Sequence, residues 1–388
     1  MISKRIQDIQ PSQTLSLSAR VKELQNNGVD VLNFTAGEPD RIVAAHVQQA
    51  AKNAIDENFS YYTATGGISE LKDAIVEKFA RENGIATTPA KIIVTNGAKE
   101  ALYMTFQTIL NPGDEVIVPT PYWVSYVEQI LMADGVPVFV PSDELFHVRS
   151  EHIEQAITNK TVAVLLNSPN NPTGAIIPSE ELKKIASVAE KHDVLIISDE
   201  VYEQYVYDGR KSYSIASDAD MAGRTITINA ISKTYAMTGW RLGYACGPKE
   251  IIDAMTKLKS HLSSGASNMT QRAAAAALAG PQEAVVEAQK EYTERRTILV
   301  EGISQLEGCS LAPPEGAFYG FINFSGLLQK KNIADSAELC EQLLEKAHVA
   351  FVPGNAFGKE YSQFARWSFA APQEQLKEGL RRLRDYIA

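Results

Sequence analysis

Four short segments carry residues whose types and spacing could do chemistry. In "NAISKTYAMTGWRLGYACG", residues 229–247, Lys233 stands among small and hydroxylated residues, and Arg241 follows eight positions later. Neither has a partner of opposite sign at helical spacing. Small neighbours leave room for a bulky group on the amine, and desolvation would lower its pKa and make it a Schiff-base nucleophile. In "VLIISDEVYEQYVYDG", Asp199 closes an apolar run and Tyr202 follows three positions on. A carboxylate at the end of a buried strand needs a cationic or hydrogen-bonding partner. "LLNSPNNPTG" is a polar loop stiffened by Pro169, Pro172 and Gly174, which holds the Asn171 amide in one place. "IIVTNGAKEALYMTF" ends a strand at Thr95, turns at Asn96-Gly97 and begins a helix with Ala98 and Lys99. Free N–H groups at the positive end of a helix dipole suit an anion such as phosphate.

Each segment alone has an ordinary account: a surface lysine, a helix cap, a proline turn, a strand-to-helix connection. One lysine, one buried acid, one fixed amide and one phosphate cup together are what pyridoxal phosphate chemistry requires. Lys233 would form the internal imine, and Asp199 would keep the pyridine nitrogen protonated. Asn171 and Tyr202 could both hydrogen-bond the ring 3-hydroxyl oxygen. Arg241 and the helix start at Gly97, Ala98 and Lys99 would neutralise the phosphate. Freed Lys233 could also move the proton between the substrate α-carbon and the cofactor.

The elements that must position these residues are legible from about residue 90 to 250. The β-rich runs "KIIVT", "DEVIVP", "VPVFVP", "TVAVLLN", "VLIISDE" and "TITINA" alternate with amphipathic stretches such as "EELKKIASVAEKHD". That alternation implies crossovers and a mostly parallel sheet covered on both faces, an α/β fold, with ligands gathering at the carboxyl ends of the strands. The C-terminal part differs: "EYTERRTILVEGISQL" and "SAELCEQLLEKAH" read as helices, and "GAFYGFINF", "VAFVPG" and "FARWSFA" as short strands, the pattern of a smaller α+β unit. Near the start, "LSARVKELQNNG" reads as a helix and "VLNFTAGEPD" contains a short apolar run.

A chain of 388 residues exceeds what one core usually supports, so two units are expected. Its 37 basic and 47 acidic side chains leave a net charge of −10, and no basic run suggests nucleic acid or an anionic membrane. The first residues lack the apolar region of a secretory signal, and "RAAAAALAG" is too short to cross a bilayer. Cys246, Cys309 and Cys340 have neither disulfide-framework nor zinc spacing, so no metal is expected and a reducing cytoplasm fits best.

With these residues in view, the chain resembles the class I aminotransferases of fold type I over nearly its whole length. "GEPD", "TPYWVSY", "NSPNNPTG", "SDEVYE", "SKTYAMTGWRLGYACGP" and "RWSFA" occur in that family's order and approximate spacing. Among its subgroups it is most similar to the prokaryotic aspartate aminotransferases, which share "AMTGWRxGYACGP". The resemblance implies the PLP-dependent transferase fold, with a large domain at residues 45–285 and a small domain formed by 1–44 and 286–388. It implies that Trp123 stacks on the cofactor ring and that Tyr62 reaches the phosphate of a neighbouring subunit, making an obligatory homodimer with shared sites. Arg366 would clamp the substrate α-carboxylate through two parallel bonds, and the main-chain N–H of Gly37 would close over it. Lys99, with Ser12 and Thr14 nearby, would bind the distal carboxylate of aspartate or glutamate.

Two departures from the family pattern stand out. Ala230 lies three positions before the lysine, where Gly or Ser is usual; a lost phosphate bond from a Ser hydroxyl would weaken cofactor retention by roughly 1 to 2 kcal/mol. "GEPD" is followed by "RIVAAHV" rather than by an aromatic, Asp or Thr, and Pro, which bears on substrate range. The implied activity is transfer of an amino group from an acidic amino acid to a 2-oxo acid by a ping-pong route. Rivals are an aminotransferase for aromatic, prephenate or other neutral substrates, a β-lyase of the same fold, and a non-catalytic regulatory protein, against which retention of Lys233 speaks.

Overall fold

The computed structural model describes residues 2–3, 6–7, 9–11 and 13–388. A short strand, β1 (Leu32–Asn33), precedes seven strands that form one sheet: β2 (Ile92–Thr95), β3 (Glu115–Thr120), β4 (Val136–Pro141), β5 (Thr161–Asn167), β6 (Leu195–Asp199), β7 (Thr225–Ala230) and β8 (Gly243–Cys246). Their order is β2-β8-β7-β6-β5-β3-β4. Strands β4, β3, β5, β6 and β7 pair in parallel, whereas β8 runs antiparallel to both β7 and β2. All six expected β-rich runs form strands of this α/β sheet, and β8 is an addition that the sequence pattern did not predict.

Side chains leave a strand alternately to its two faces. Val164, Leu166 and Ile196 accordingly pack with Leu182 and Ile185 of the helix Ser179–Lys191, while Leu165 and Ile197 pack on the other face with Leu102 and Phe106 of the helix Ala98–Ile109. Ser179–Lys191 forms where Pro178 presets its entry and apolar residues recur at helical spacing, burying Leu182, Ile185, Ala186 and Ala189. Each such fully buried large side chain contributes roughly 1.5–3 kcal/mol.

Beyond the helix Glu283–Ser304 the chain builds a smaller antiparallel sheet from β9 (Ser310–Leu311), β10 (Tyr319–Asn323), β12 (Val352–Pro353) and β13 (Phe364–Ser368), in the order β12-β13-β10-β9. β11 (Val349–Ala350) pairs in parallel with β1, so the early "VLNFTAGEPD" segment is tied to the C-terminal part. Trp367 anchors this region, fully buried, with ring centroids 4.5 Å from Phe34 and 4.7 Å from Phe351. Among the described residues no helix is long and apolar enough to cross a membrane, and no group of His, Cys, Asp and Glu could hold a metal ion.

The topology collects the chemistry at one edge. β5 ends at Asn167 and β6 at Asp199, while β7 ends three residues before Lys233 and β2 two residues before Gly97. Because β8 is antiparallel, its start lies at that same edge, with Gly243 opposite both Thr95 and Ala230. Arg241, two residues before β8, is thereby delivered beside Gly97 and Lys233. A parallel strand here would have carried it to the opposite side of the sheet.

Candidate active site

A cavity of about 350 Å³ opens at this edge, within the range of small-molecule sites. Its lining includes Gly37, Ala98, Lys99, Trp123, Asn171, Asp199, Tyr202, Lys233, Arg241 and Arg366, and also Thr14. Tyr62 stands apart from it, 97 % exposed. Gly97 does not line it, although Ala98 and Lys99 directly after it do. Ser12 lies outside the described residues.

Lys233 sits in the short helix Ile231–Thr234 that β7 feeds. Its Nζ donates to the carbonyl oxygen of Gly37. Burial, reinforced by the Arg366 and Arg241 charges against the opposing pull of Glu38 and Asp199, pushes the amine down to about 8. Roughly a tenth of the amine is then unprotonated at pH 7, far more than for an ordinary lysine, and available as a nucleophile.

Asp199 is 3 % exposed at the end of β6. Burial pushes its carboxyl up to about 6, against a hydrogen bond from the Tyr126 hydroxyl at 2.6 Å, one from Val201 N and the charge of Lys233. Among the described residues it has no ion-pair partner. The same holds for Arg366, 2 % exposed in β13, whose Nη1 donates to Asn171 Oδ1 at 2.8 Å and Nη2 to Thr35 O at 2.7 Å. Its guanidinium otherwise lies over the rings of Tyr319 and Phe357, and its Nε has no partner. A buried charge without a counter-charge is expensive. One cavity thus carries an unpaired anion on one wall and an unpaired cation on another, an arrangement suited to a ligand that brings both opposite charges.

The remaining partners fix these groups. The Tyr202 and Tyr319 hydroxyls lie 2.9 Å apart, and Lys233 Nζ is 6.0 Å from the Tyr202 ring centre. Asn167 at the end of β5 accepts from Asn171 N at 2.9 Å and donates to the carbonyl oxygen of Asp199 at 3.0 Å, locking the "NSPNN" loop to β6. A side chain at Gly37 would strike the Tyr319 hydroxyl, so only glycine lets this backbone approach.

At the other end, Arg241 donates to Thr238 O at 2.8 Å and to Asn96 O at 3.4 Å, neutral acceptors that leave its charge uncancelled. Gly97 holds a left-handed φ of +84°, and any side chain there would collide with the Arg241 guanidinium. Ala98 and Lys99 open the helix behind it, where first-turn N–H groups lack intrahelical acceptors. The Lys99 ammonium lies 4.9 Å from the Trp123 ring centre, and burial followed by the nearby Arg241 charge lowers its pKa. The Trp123 ring stands edge-on to Tyr126 at 5.3 Å.

An amine poised for condensation, a buried carboxylate that calls for a cation, and a cup of Arg241 and helix N–H groups for an anion together fit pyridoxal phosphate. Tyr126, Asn167, Thr35 and Tyr319 belong to the site without having been predicted. Of these, Tyr126 carried a signal, since it lies three residues after Trp123 within "TPYWVSY".

Residues 29–383 match the family model for aminotransferase class I and II. An aspartate aminotransferase of Geobacillus stearothermophilus is 43 % identical over 100 % of this chain and 98 % of its own. A probable aspartate/prephenate aminotransferase of Aquifex aeolicus is 42 % identical over 99 % and 98 %. The structure of the aspartate aminotransferase from Thermus thermophilus with maleate superposes with a TM-score of 0.94 at 42 % identity, covering 99 % of both chains.

Proposed function

The chain belongs to the class I and II aminotransferases, and from that premise we propose that it moves the amino group of aspartate or glutamate to a 2-oxo acid by a ping-pong route, with pyridoxal phosphate as cofactor. The observation that carries this reading is the pair of buried, unpaired charges, Asp199 and Arg366, facing one cavity beside the Lys233 amine.

When bound, pyridoxal phosphate supplies a carbonyl carbon that condenses reversibly with amines and a protonated ring that withdraws electrons from an amino acid's α-carbon. Lys233 would hold the cofactor through Nζ and would move the substrate α-proton at that atom; its pKa near 8 suits a base working near neutrality. Asp199 keeps a proton on the ring nitrogen by offering its carboxylate, oriented by Tyr126. Tyr202 and Asn171 would hold the ring by hydrogen bonding, and Trp123 would pack against it. Arg241 and the N–H groups after Gly97 bind the phosphate. Arg366 binds the substrate α-carboxylate, a second anion for which the main-chain N–H of Gly37 is a further donor.

Lys99 is the candidate for the distal carboxylate, with Thr14 also on the cavity wall. The Thermus thermophilus enzyme on which this chain superposes was solved with maleate, a dicarboxylate, and that likeness favours acidic substrates. A second reading, prephenate as an alternative partner, is favoured by the name of the Aquifex aeolicus relative. Tyr62, with the neighbouring Tyr61 also 84 % exposed, offers aromatic surface for a second copy of the chain to cover, and reaching a neighbour's phosphate is the role assigned to it. A cytoplasmic setting accords with three unpaired cysteines.

An absorbance scan of the cofactor-loaded protein before and after adding L-aspartate, L-glutamate and L-phenylalanine tests this. Loss of the visible band with the acidic donors alone is expected. Loss with phenylalanine alone would overturn the substrate assignment, and the lack of any visible band would overturn the cofactor.

A further inference from the structure

The turn that presents Ala98 and Lys99 to the cavity is held from behind by a charge pair that lines no part of it. Glu100 Oε2 accepts from Asn96 N at 2.6 Å and from Lys259 Nζ at 2.8 Å, while Oε1 accepts from Asn96 Nδ2 at 3.0 Å and from Ser263 Oγ at 2.6 Å. Four donors thus converge on one carboxylate. Asn96 in turn accepts from Arg241 Nη2 through its carbonyl oxygen. Lys259, near the end of the helix Lys249–Leu262, has a side chain with 0 % exposure, and that of Glu100 is 13 % exposed.

A carboxylate in a helix's first turn is favourable to the helix dipole but repels an anion bound at the same end. The Lys259 ammonium removes that conflict, because at 2.8 Å the pair presents almost no net charge to the cavity. Burial works against the Glu100 charge, and the bonds from Lys259, Ser263 and Asn96 more than offset it, leaving the carboxyl below its usual range.

We propose that Glu100, neutralised by Lys259, is the positioning residue of the phosphate cup. It clamps Asn96 at both backbone N–H and side-chain amide, and so holds Gly97 in its left-handed conformation with Arg241 and the N–H groups of Ala98 and Lys99 convergent. The inference rests on the cofactor reading above. It adds to it the residues that make the cup rigid, and it confines their effect to the phosphate end of the ligand.

The full-length protein, freed of cofactor, is titrated with pyridoxal phosphate and separately with pyridoxal, which lacks the phosphate. Wild type, Glu100→Ala and the double variant Glu100→Ala/Lys259→Met, which leaves no unpaired buried charge, are compared. Both variants are expected to bind pyridoxal phosphate on the order of tenfold more weakly, the scale of one misplaced charge-assisted bond, with pyridoxal changed less than about twofold. A merely structural role would weaken both ligands in parallel, and that result, or unchanged binding of both, overturns the inference while leaving the cofactor in place. Wild type that shows no preference for pyridoxal phosphate would overturn the cofactor reading and the inference with it.

Discussion

Arg366 Nη1 donates to Asn171 Oδ1 at 2.8 Å, joining β13 of the small sheet to the loop that leaves β5 of the large one. Among the described residues that line the cavity, Arg366 carries the more buried of two guanidinium groups, and its second nitrogen is already held by Thr35 O. Replacing Arg366 by Lys keeps a charge but loses the planar fork. We expect kcat/KM for aspartate to fall by roughly 30- to 1000-fold, the equivalent of about 2–4 kcal/mol. Steady-state kinetics on the loaded variant checks this, and retention of wild-type kcat/KM would remove Arg366 from substrate binding.

Asp199 should trade stability for function. Its carboxyl sits at about 6 in the folded chain against an ordinary 3.8, so between those values the folded state binds more protons than the unfolded one. Stability therefore falls as pH rises through that window, and the full loss is present above it. Asp199→Asn should stabilise the cofactor-free protein at neutral pH by roughly 1–3 kcal/mol, with the gap closing towards about pH 4, while activity drops by orders of magnitude. Urea unfolding of both proteins at the two pH values reads this directly.

The side chain of Lys99, as distinct from its main-chain N–H in the phosphate cup, is proposed to act on substrate choice. Lys99→Ala should raise KM for aspartate roughly tenfold or more and leave the much lower activity with phenylalanine nearly unchanged. A parallel loss with both donors would instead place the Lys99 ammonium, and not only its main-chain N–H, among the groups that hold the cofactor.

Tyr126→Phe removes the one short donor to Asp199 and nothing that touches substrate. Cofactor affinity should fall by roughly tenfold, as expected for a buried hydrogen bond to a charged group, with KM for aspartate little changed. Equilibrium titration with pyridoxal phosphate distinguishes this from no effect.

Much of this site was legible because strand ends are. Continuous runs such as "VLIIS" and "TVAVLLN", rich in β-branched residues and bounded by turn signals, read as buried strands, so Asp199 emerges at the end of one and the loop carrying Asn171 follows the other, while Lys233 follows "TITINA"; Asn167, the last residue of its run, was not singled out. β8 escaped prediction because "GYAC" is short, begins with glycine and continues the lysine segment without a turn signal. Its antiparallel direction, which brings Arg241 to the site, is a property of the whole sheet and has no local signature. Tyr126 lies in the family segment "TPYWVSY" but neither it nor Tyr319 was singled out, because their hydroxyls act through Asp199 and Tyr202, 73 and 117 residues away in sequence. The roles of Arg366 and Gly37 came from family resemblance rather than from pattern, since a single arginine in a strand reads equally well as a rim salt bridge.

Reductive trapping tests the central claim most directly. The protein loaded with pyridoxal phosphate is treated with borohydride, digested and mapped by mass spectrometry. The cofactor mass should appear on the peptide containing Lys233 and on no other lysine, and Lys233→Ala should show no stable label. Attachment at a different lysine, or equal labelling of the Lys233→Ala variant, would contradict the assignment of Lys233 as the residue on which the chemistry turns.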